Sequence, residues 1–246
     1  SLFKRLDPSR LTTFATCVDQ TNYLGCADLM AWNKYFNWND GKQIGSFMDK
    51  VKANSQNYPV GVSEYGFGGS IYQHRCPVNE SEILLGRLHP EEFQTISHEK
   101  NWEALAGRSY LWAKFIWVFA DFQSVIRKEG DRDGINDKGL VTYDRQIKKD
   151  AFYFYKANWN TEPMLHLCDS RFTERFYSIT SIKAYTNLEA AILYVNGKKI
   201  GKMKRDKYNR VIWNNILLQP GENIIRIDAK NGKKIISESC VWTLKL

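Results

Sequence analysis

The sequence lacks any apolar run approaching the roughly 18 residues that a membrane-spanning helix needs, which excludes that class of membrane protein. It also lacks close cysteine pairs. Its five cysteines (Cys17, Cys26, Cys76, Cys168 and Cys240) are odd in number and none stands in a C-x-x-C arrangement, which argues against a disulfide scaffold, redox chemistry or structural zinc. There is no internal repeat and no low-complexity stretch, so collagen-like and disordered classes drop out. The opening SLFKRLDPSR has no hydrophobic segment behind a basic start, so no targeting peptide is expected there. The four histidines (His74, His89, His98 and His166) are scattered, and no metal or cofactor site is expected.

What is present is an ordinary globular composition in 246 residues, enough for one large or two medium domains. Charge divides the chain. Residues 1–162 carry 20 basic against 20 acidic side chains, whereas residues 163–246 carry 15 against 7, so the net +8 belongs to the last third. Much of the excess lies between Lys198 and Arg210. Without a nucleic-acid motif or an amphipathic helix, this stretch reads as lysine-rich hairpin edges that discourage strand-to-strand aggregation, and no nucleic-acid or membrane partner is expected.

The hydrophobic pattern changes at the same place. In residues 1–162 the apolar runs Leu11–Val18, Leu29–Trp32, Pro59–Ser63 and Lys114–Phe119 read as buried strands. They alternate with expected helices over Ile44–Ser55, Pro90–Leu111 and Asp144–Trp159. Such alternation implies an α/β fold with a parallel sheet, open or closed into a barrel. From 163 to 246, short strands are expected at Ile182–Tyr185, Ala190–Val195, Asn209–Ile212, Asn223–Asp228 and Ser237–Leu244. Between them lie the turn signals Asn196-Gly197, Pro220-Gly221 and Asn231-Gly232, which together suggest an all-β immunoglobulin-like sandwich.

The strongest chemical signal is Pro59-Val-Gly-Val-Ser-Glu64-Tyr-Gly66, an apolar strand that ends on a carboxylate before a glycine-rich loop. The C-terminal ends of barrel strands form the active-site face, so Glu64 is the candidate catalytic residue; an ordinary glutamate closing a strand fits the pattern equally well. Trp117 and Asp121 follow another expected strand, where an indole can floor a sugar site or simply pack in the core. Asn33, Tyr35 and Trp38 form a third polar-aromatic cluster just after a strand. The loop Gly130–Gly139 carries acids at 131, 133 and 137, but its spacing does not fit an EF-hand calcium loop.

Read in order, Leu6-Asp-Pro-Ser-Arg10, Asn33-Lys-Tyr-Phe, Ser63-Glu-Tyr-Gly66 and Phe115-Ile-Trp-Val-Phe-Ala-Asp-Phe122 resemble glycoside hydrolase family 2. So do Asn136-Asp-Lys-Gly-Leu-Val-Thr-Tyr-Asp-Arg145, Lys149-Asp-Ala-Phe and Trp159, so that the resemblance covers residues 1–160. Gly68-Gly-Ser-Ile-Tyr-Gln-His74 is similar to the bacterial β-galactosidases of that family, in which an immunoglobulin-like domain follows the barrel. The resemblance implies the C-terminal half of a (β/α)8 TIM barrel over 1–162 and the sandwich over 163–246. It implies a retaining exo-glycosidase in which Glu64 is the nucleophile and Asn33, Tyr35, Trp38, His74, Trp117, Asp121, Asn136 and Lys138 bind substrate. Retaining chemistry needs two carboxyl groups about 5–5.5 Å apart. The family's partner acid is the glutamate of an Asn-Glu pair at a strand end. The pair Asn79-Glu80 lies instead in the loop after Glu64, so the acid is expected to be missing and the chain to be inactive alone.

Two substrates remain open. Asn136-x-Lys138 matches the pair that β-glucuronidases of the family direct at the sugar carboxylate, and a lysine there suits a uronic acid. Those enzymes also carry a tyrosine where this sequence has Asn39, and the Gly68–His74 loop resembles the galactosidases, so a terminal β-galactoside is the favoured expectation. A parent enzyme of this kind is expected in the periplasm or outside the cell. An open barrel edge predicts self-association. From a different class, the chain could be a non-catalytic carbohydrate-binding or interaction module whose basic sandwich holds an acidic glycan.

Overall fold

The computed structural model describes residues 2–36, 41–78 and 86–245. The chain forms two compact units, Ser1–Ile147 and Lys148–Leu246.

In the first unit, β1 (Thr13–Thr16), β2 (Leu29–Asn33), β3 (Val60–Tyr65) and β4 (Leu111–Ile116) make one parallel sheet in chain order. The registers Thr13↔Leu29, Met30↔Val60 and Val60↔Leu111 align their starts. A short α1 (Leu2–Leu6) precedes the sheet. Helix α2 (Gly41–Asn54) follows β2, and α3 (Glu91–Leu105) follows β3. The central strands are apolar and covered: Met30, Ala31, Trp32, Val60 and Val62 are all buried, as are Ile44 and Met48 of α2 and Phe93 and Leu105 of α3. At the edge, β1 is exposed except at Thr16. The sequence-based helix over Pro90–Leu111 stops short at Leu105; Ala106 caps it by donating to Trp102 O, and β4 begins at Leu111. Beyond β4, a small hairpin pairs β5 (Phe122–Gln123) with β6 (Ile135–Asn136).

The second unit begins with α4 (Asp150–Trp159), which the sequence reading assigned to the first domain together with the boundary at 162/163. Its polar contacts explain the difference. Asp150 accepts from Arg171 Nη2 at 3.0 Å and from the backbone of Asp169 at 2.7 Å, and Asn158 Nδ2 donates to Tyr208 O at 3.0 Å. The expected start at Asp144 is lost to a turn, in which Thr142 Oγ1 donates to Asp144 and Arg145 takes a φ of 62°.

The strands that follow are β7 (Leu165–Leu167), β8 (Glu174–Arg175), β9 (Ile179–Thr186), β10 (Ala190–Val195), β11 (Lys198–Lys204), β12 (Arg210–Leu217), β13 (Gly221–Asn231) and β14 (Lys234–Leu244). They form a five-stranded sheet, β11-β10-β13-β14-β8, and a three-stranded sheet, β12-β9-β7, that share one core. Period-two alternation drives the layering: Ile225, Ile227 and Ala229 of β13 point inward with Leu193, Ile182 and Trp242, while Ile224 and Arg226 face out. Asn196 and Gly197 both take positive φ (50° and 78°), the primed turn that the dipeptide predicted. The lysine-rich stretch is β11, an edge strand whose side chains are nearly all exposed.

Candidate active site

Strand β3 carries the apolar run to Glu64, and the register of the parallel ladder shifts at its end so that Asn33 of β2 faces Glu64. The Ser63 hydroxyl donates to Asn33 Oδ1 at 2.7 Å, and the Tyr35 hydroxyl donates to Glu64 Oε2 at 2.6 Å. Partial burial, reinforced by the carboxylate beside it, pushes the Tyr35 phenol above its ordinary range, so it remains a protonated donor. After Tyr65 the chain runs close against Trp117, the residue that follows β4. Gly66 has a φ of 151°, and a Cβ there would strike the Trp117 carbonyl, so only glycine fits.

The other wall is built from the segment after β4. The Trp117 backbone donates to Tyr65 O at 2.8 Å, and its ring packs edge-on against Phe122. The Trp117–Val118 peptide is cis. Hydrogen bonds to its backbone lock the turn Asn136–Gly139: Gly69 N donates to Asp137 O (3.1 Å), Gly139 N to the Asp121 side chain at Oδ1 (2.8 Å), and the side-chain Nε2 of Gln94 in α3 to Gly139 O (3.1 Å). Between Asn136 and Lys138, Asp137 turns inward, its Oδ2 2.7 Å from His89 Nδ1, both residues buried. A Cβ on Gly68 would collide with both side chains, which accounts for the glycine there.

These elements enclose a cleft of about 480 Å³ with a mixed wall. Phe67, Trp117, Phe122 and Ile126 supply apolar surface; Glu64 and Glu129 bring negative charge, Arg127 and Lys138 positive. A carboxylate held by a hydroxyl donor, an indole wall and a lysine beside an asparagine can between them attack, stack on and orient a polyhydroxylated anion.

Of the residues singled out in the sequence, Glu64, Tyr35, Trp117, Asn136 and Lys138 meet on this cleft. Asn33 stands one step behind, bonded through Ser63. Asp121 is buried and braces the turn through Gly139, so it does not line the wall. His74 lies 2.7 Å from Glu92 Oε1 of α3 and is no part of the lining. Trp38 lies outside the described residues. Sequence reasoning missed His89, Arg127 and Glu129. His89 carries only the signal of a helix start before Pro90, and Arg127 and Glu129 sit in a charged loop that reads as solvated. Among the described residues no cluster of three His, Cys, Asp or Glu is placed to hold a metal ion, and no helix is long and apolar enough to cross a membrane.

The fold and site thus define a parallel α/β unit that bears a carboxylate cleft, followed by a β-sandwich. Residues 178–236 of the sandwich match a family model described as a domain of unknown function, DUF4982. A β-glucuronidase of Bacteroides fragilis is 42% identical over 245 residues, 98% of this chain and 35% of that protein. Among solved structures, the FMN-binding β-glucuronidase from Facaelibacterium prausnitzii L2-6 is 32% identical with a TM-score of 0.88, over 99% of this chain and 37% of that one. A Bacteroides fragilis protein provisionally named a β-galactosidase is 26% identical with a TM-score of 0.91, over the same shares. The homologues of this chain are glycoside hydrolase family 2-like β-glucuronidases and β-galactosidases. The chain spans about a third of the length of the first curated relatives it matches.

Proposed function

We propose that this chain supplies the nucleophile and the sugar-acid pocket of a retaining β-glucuronidase. The observation that carries the reading is the presence of Lys138 and Asn136 on the same cleft as Glu64. The four parallel strands in chain order are read as strands five to eight of a (β/α)8 barrel with the cleft at their C-terminal ends, and the second unit as an immunoglobulin-like domain.

In this reading Glu64 attacks the anomeric carbon and displaces the aglycone oxygen, which gives a glycosyl ester that water then cleaves. The Tyr35 hydroxyl orients the attacking carboxylate and keeps one oxygen occupied, leaving the other to react. Trp117 covers an apolar sugar face, while the Lys138 ammonium and the Asn136 amide take the uronate. Among the described residues of the cleft the other carboxylate, Glu129, is engaged by Arg127 and Lys138, so the reading takes the general acid from elsewhere in the gene product and gives these 246 residues little turnover alone.

The 42% identity to a β-glucuronidase supports the uronate over the galactoside that the Gly68–His74 loop favoured. The galactoside stays as the second reading, carried by the likeness to the Bacteroides fragilis protein of that provisional name. The two are separated by Lys138→Ala in the full-length gene product, assayed on nitrophenyl β-glucuronide and β-galactoside. Loss of a charge-assisted contact should lower the glucuronide-to-galactoside ratio of kcat/KM by about 10- to 100-fold. Equal damage to both substrates would leave Lys138 as a brace for its loop and sink the uronate reading.

The edge of the first unit carries its own expectation. Among the described residues strand β1 has a sheet neighbour on one side only, and Leu2, Phe3, Leu6 and Leu11, which precede it in the chain, are all more than half exposed. This chain by itself is therefore expected to self-associate through that edge. A clean monomer by light scattering across a concentration series would count against it.

A further inference from the structure

Three charges converge on the Lys138 side of the cleft. Glu129 Oε1 lies 2.6 Å from Arg127 Nη1 and 3.4 Å from Lys138 Nζ, so one carboxylate oxygen bridges two cations. The loop that carries the bridge is pinned at its backbone by Arg127 N to Ser124 O (2.9 Å), Gly134 N to Arg127 O (2.8 Å) and Ser124 N to Gly134 O (2.8 Å). Lys138 is held in turn by its place in the locked turn, with its side chain only 15% exposed and its ammonium 5.9 Å from the Tyr35 ring. All of these side chains line the cleft that holds Glu64.

We infer that Glu129 is a specificity-determining residue, an internal carboxylate that competes with the carboxylate of a uronic acid substrate for Lys138. The inference rests on the glucuronide reading of the cleft and deepens it. A uronate that reaches Lys138 brings a second anion to an ammonium already facing Glu129, and two carboxylates around one cation repel each other. The unequal distances say which contact yields: the short one to Arg127 anchors Glu129, and the long one to Lys138 opens. A neutral hexoside meets no such opposition, because its hydroxymethyl group carries no charge and can donate a hydrogen bond to Glu129. Glu129 therefore penalises acids relative to neutral glycosides. It brings the formal charge of the four ionic side chains Glu64, Glu129, Arg127 and Lys138 to zero, and without it the set would be +1.

The test is the pair Glu129→Gln and Glu129→Asp in the full-length gene product, with steady-state kinetics on nitrophenyl β-glucuronide and β-galactoside. Glu129→Gln removes the charge at constant shape and should lower the glucuronide KM about fivefold, raising the acid-to-neutral ratio of kcat/KM by a similar factor. The gain should shrink in about 1 M salt, where exposed charges are screened. Glu129→Asp keeps the charge, withdraws it by one methylene, and should fall between. A glucuronide KM that rises or stays unchanged in Glu129→Gln overturns the inference and leaves Glu129 as a brace for Arg127 and Lys138. Failure of the underlying reading shows elsewhere: the Lys138→Ala variant, with Glu129 intact, would then damage both substrates alike.

Discussion

Glu64→Gln in the full-length gene product should cost at least about 10³-fold in kcat on its preferred nitrophenyl glycoside, with KM little changed. The substitution keeps the shape of the side chain and an oxygen that can still accept from Tyr35, so the cleft should stay assembled and only the nucleophile should be lost. That separates it from a residue that merely positions others, whose loss would move KM and kcat together. The same variant decides between an enzyme and a carbohydrate-binding module, since a binding module would keep its glycan affinity and have no turnover to lose. A second measurement addresses the covalent step. An activated 2-fluoro-glycoside should label the wild type at the peptide containing Glu64, and mass analysis should find no adduct on the glutamine variant. Labelling elsewhere, or retained turnover in Glu64→Gln, would remove Glu64 from the chemistry.

Asp150→Ala should destabilise the second unit by about 3–5 kcal/mol, the usual consequence of removing one member of a buried charge network. Asp150 lies almost fully buried at the first turn of α4, 2.9 Å from His166 Nε2 and 3.0 Å from Arg171 Nη2. On its other side, His166 Nδ1 is 3.5 Å from Glu238, and its ring stacks on Tyr153 at 3.7 Å. Removing the central anion takes from the buried His166 and the partly exposed Arg171 the carboxylate they share.

The network also sets a pH profile. Burial alone would push the His166 imidazole down, but hydrogen bonds to Asp150 and Glu238 outweigh it and raise the group to about 9. Burial likewise opposes ionisation of Asp150, and the His166 hydrogen bond, with the His166 and Arg171 charges, more than offsets it and holds the carboxyl low. A raised histidine stabilises fully below its unfolded value of 6.5 and loses that contribution as pH rises through about 9. A depressed carboxyl stabilises above its unfolded value of 3.8 and loses that contribution as pH falls below it. Urea melts of the wild-type second-unit transition should therefore be steadiest between about pH 4 and 6.5 and weaken on both sides. Asp150→Ala should flatten the alkaline arm; an arm that persists unchanged would assign it to another group.

Much of the fold was legible because its determinants are local. The runs around Met30–Trp32 and Val60–Val62 are uninterrupted by polar residues, which is what burial on both faces demands, and both became central strands. Asn196-Gly197 marks its hairpin because few other pairs tolerate two positive φ angles in succession. The position of Glu64 followed from the same logic, since a carboxylate after a buried parallel strand emerges at the end of a sheet. Strand β11 was read only as hairpin edge because its pattern is lysine and glycine with little alternation, and its identity comes from pairing with β10. The place of α4 was not local either: its sequence suits a helix, but its unit was decided by Asp150, Asn158 and their partners dozens of residues away.

The sequence by itself marked β2, β3, β10 and most of β13 as strands and marked the turns of the sandwich, and it singled out Glu64, Tyr35 and Trp117 as candidates; Asn136 and Lys138 came from the resemblance to glycoside hydrolase family 2. The strands, the turns and the first three side chains rest on side-chain periodicity, turn stereochemistry or residue type, which act over a few residues. Only the tertiary structure brought the five onto one cleft and turned His74 toward Glu92. It alone set Asp137 against His89 behind the Asn136–Lys138 turn, and Glu129 between Arg127 and Lys138. Those outcomes depend on hydrogen bonds and charges between residues far apart in the chain, whose partners a linear pattern does not specify.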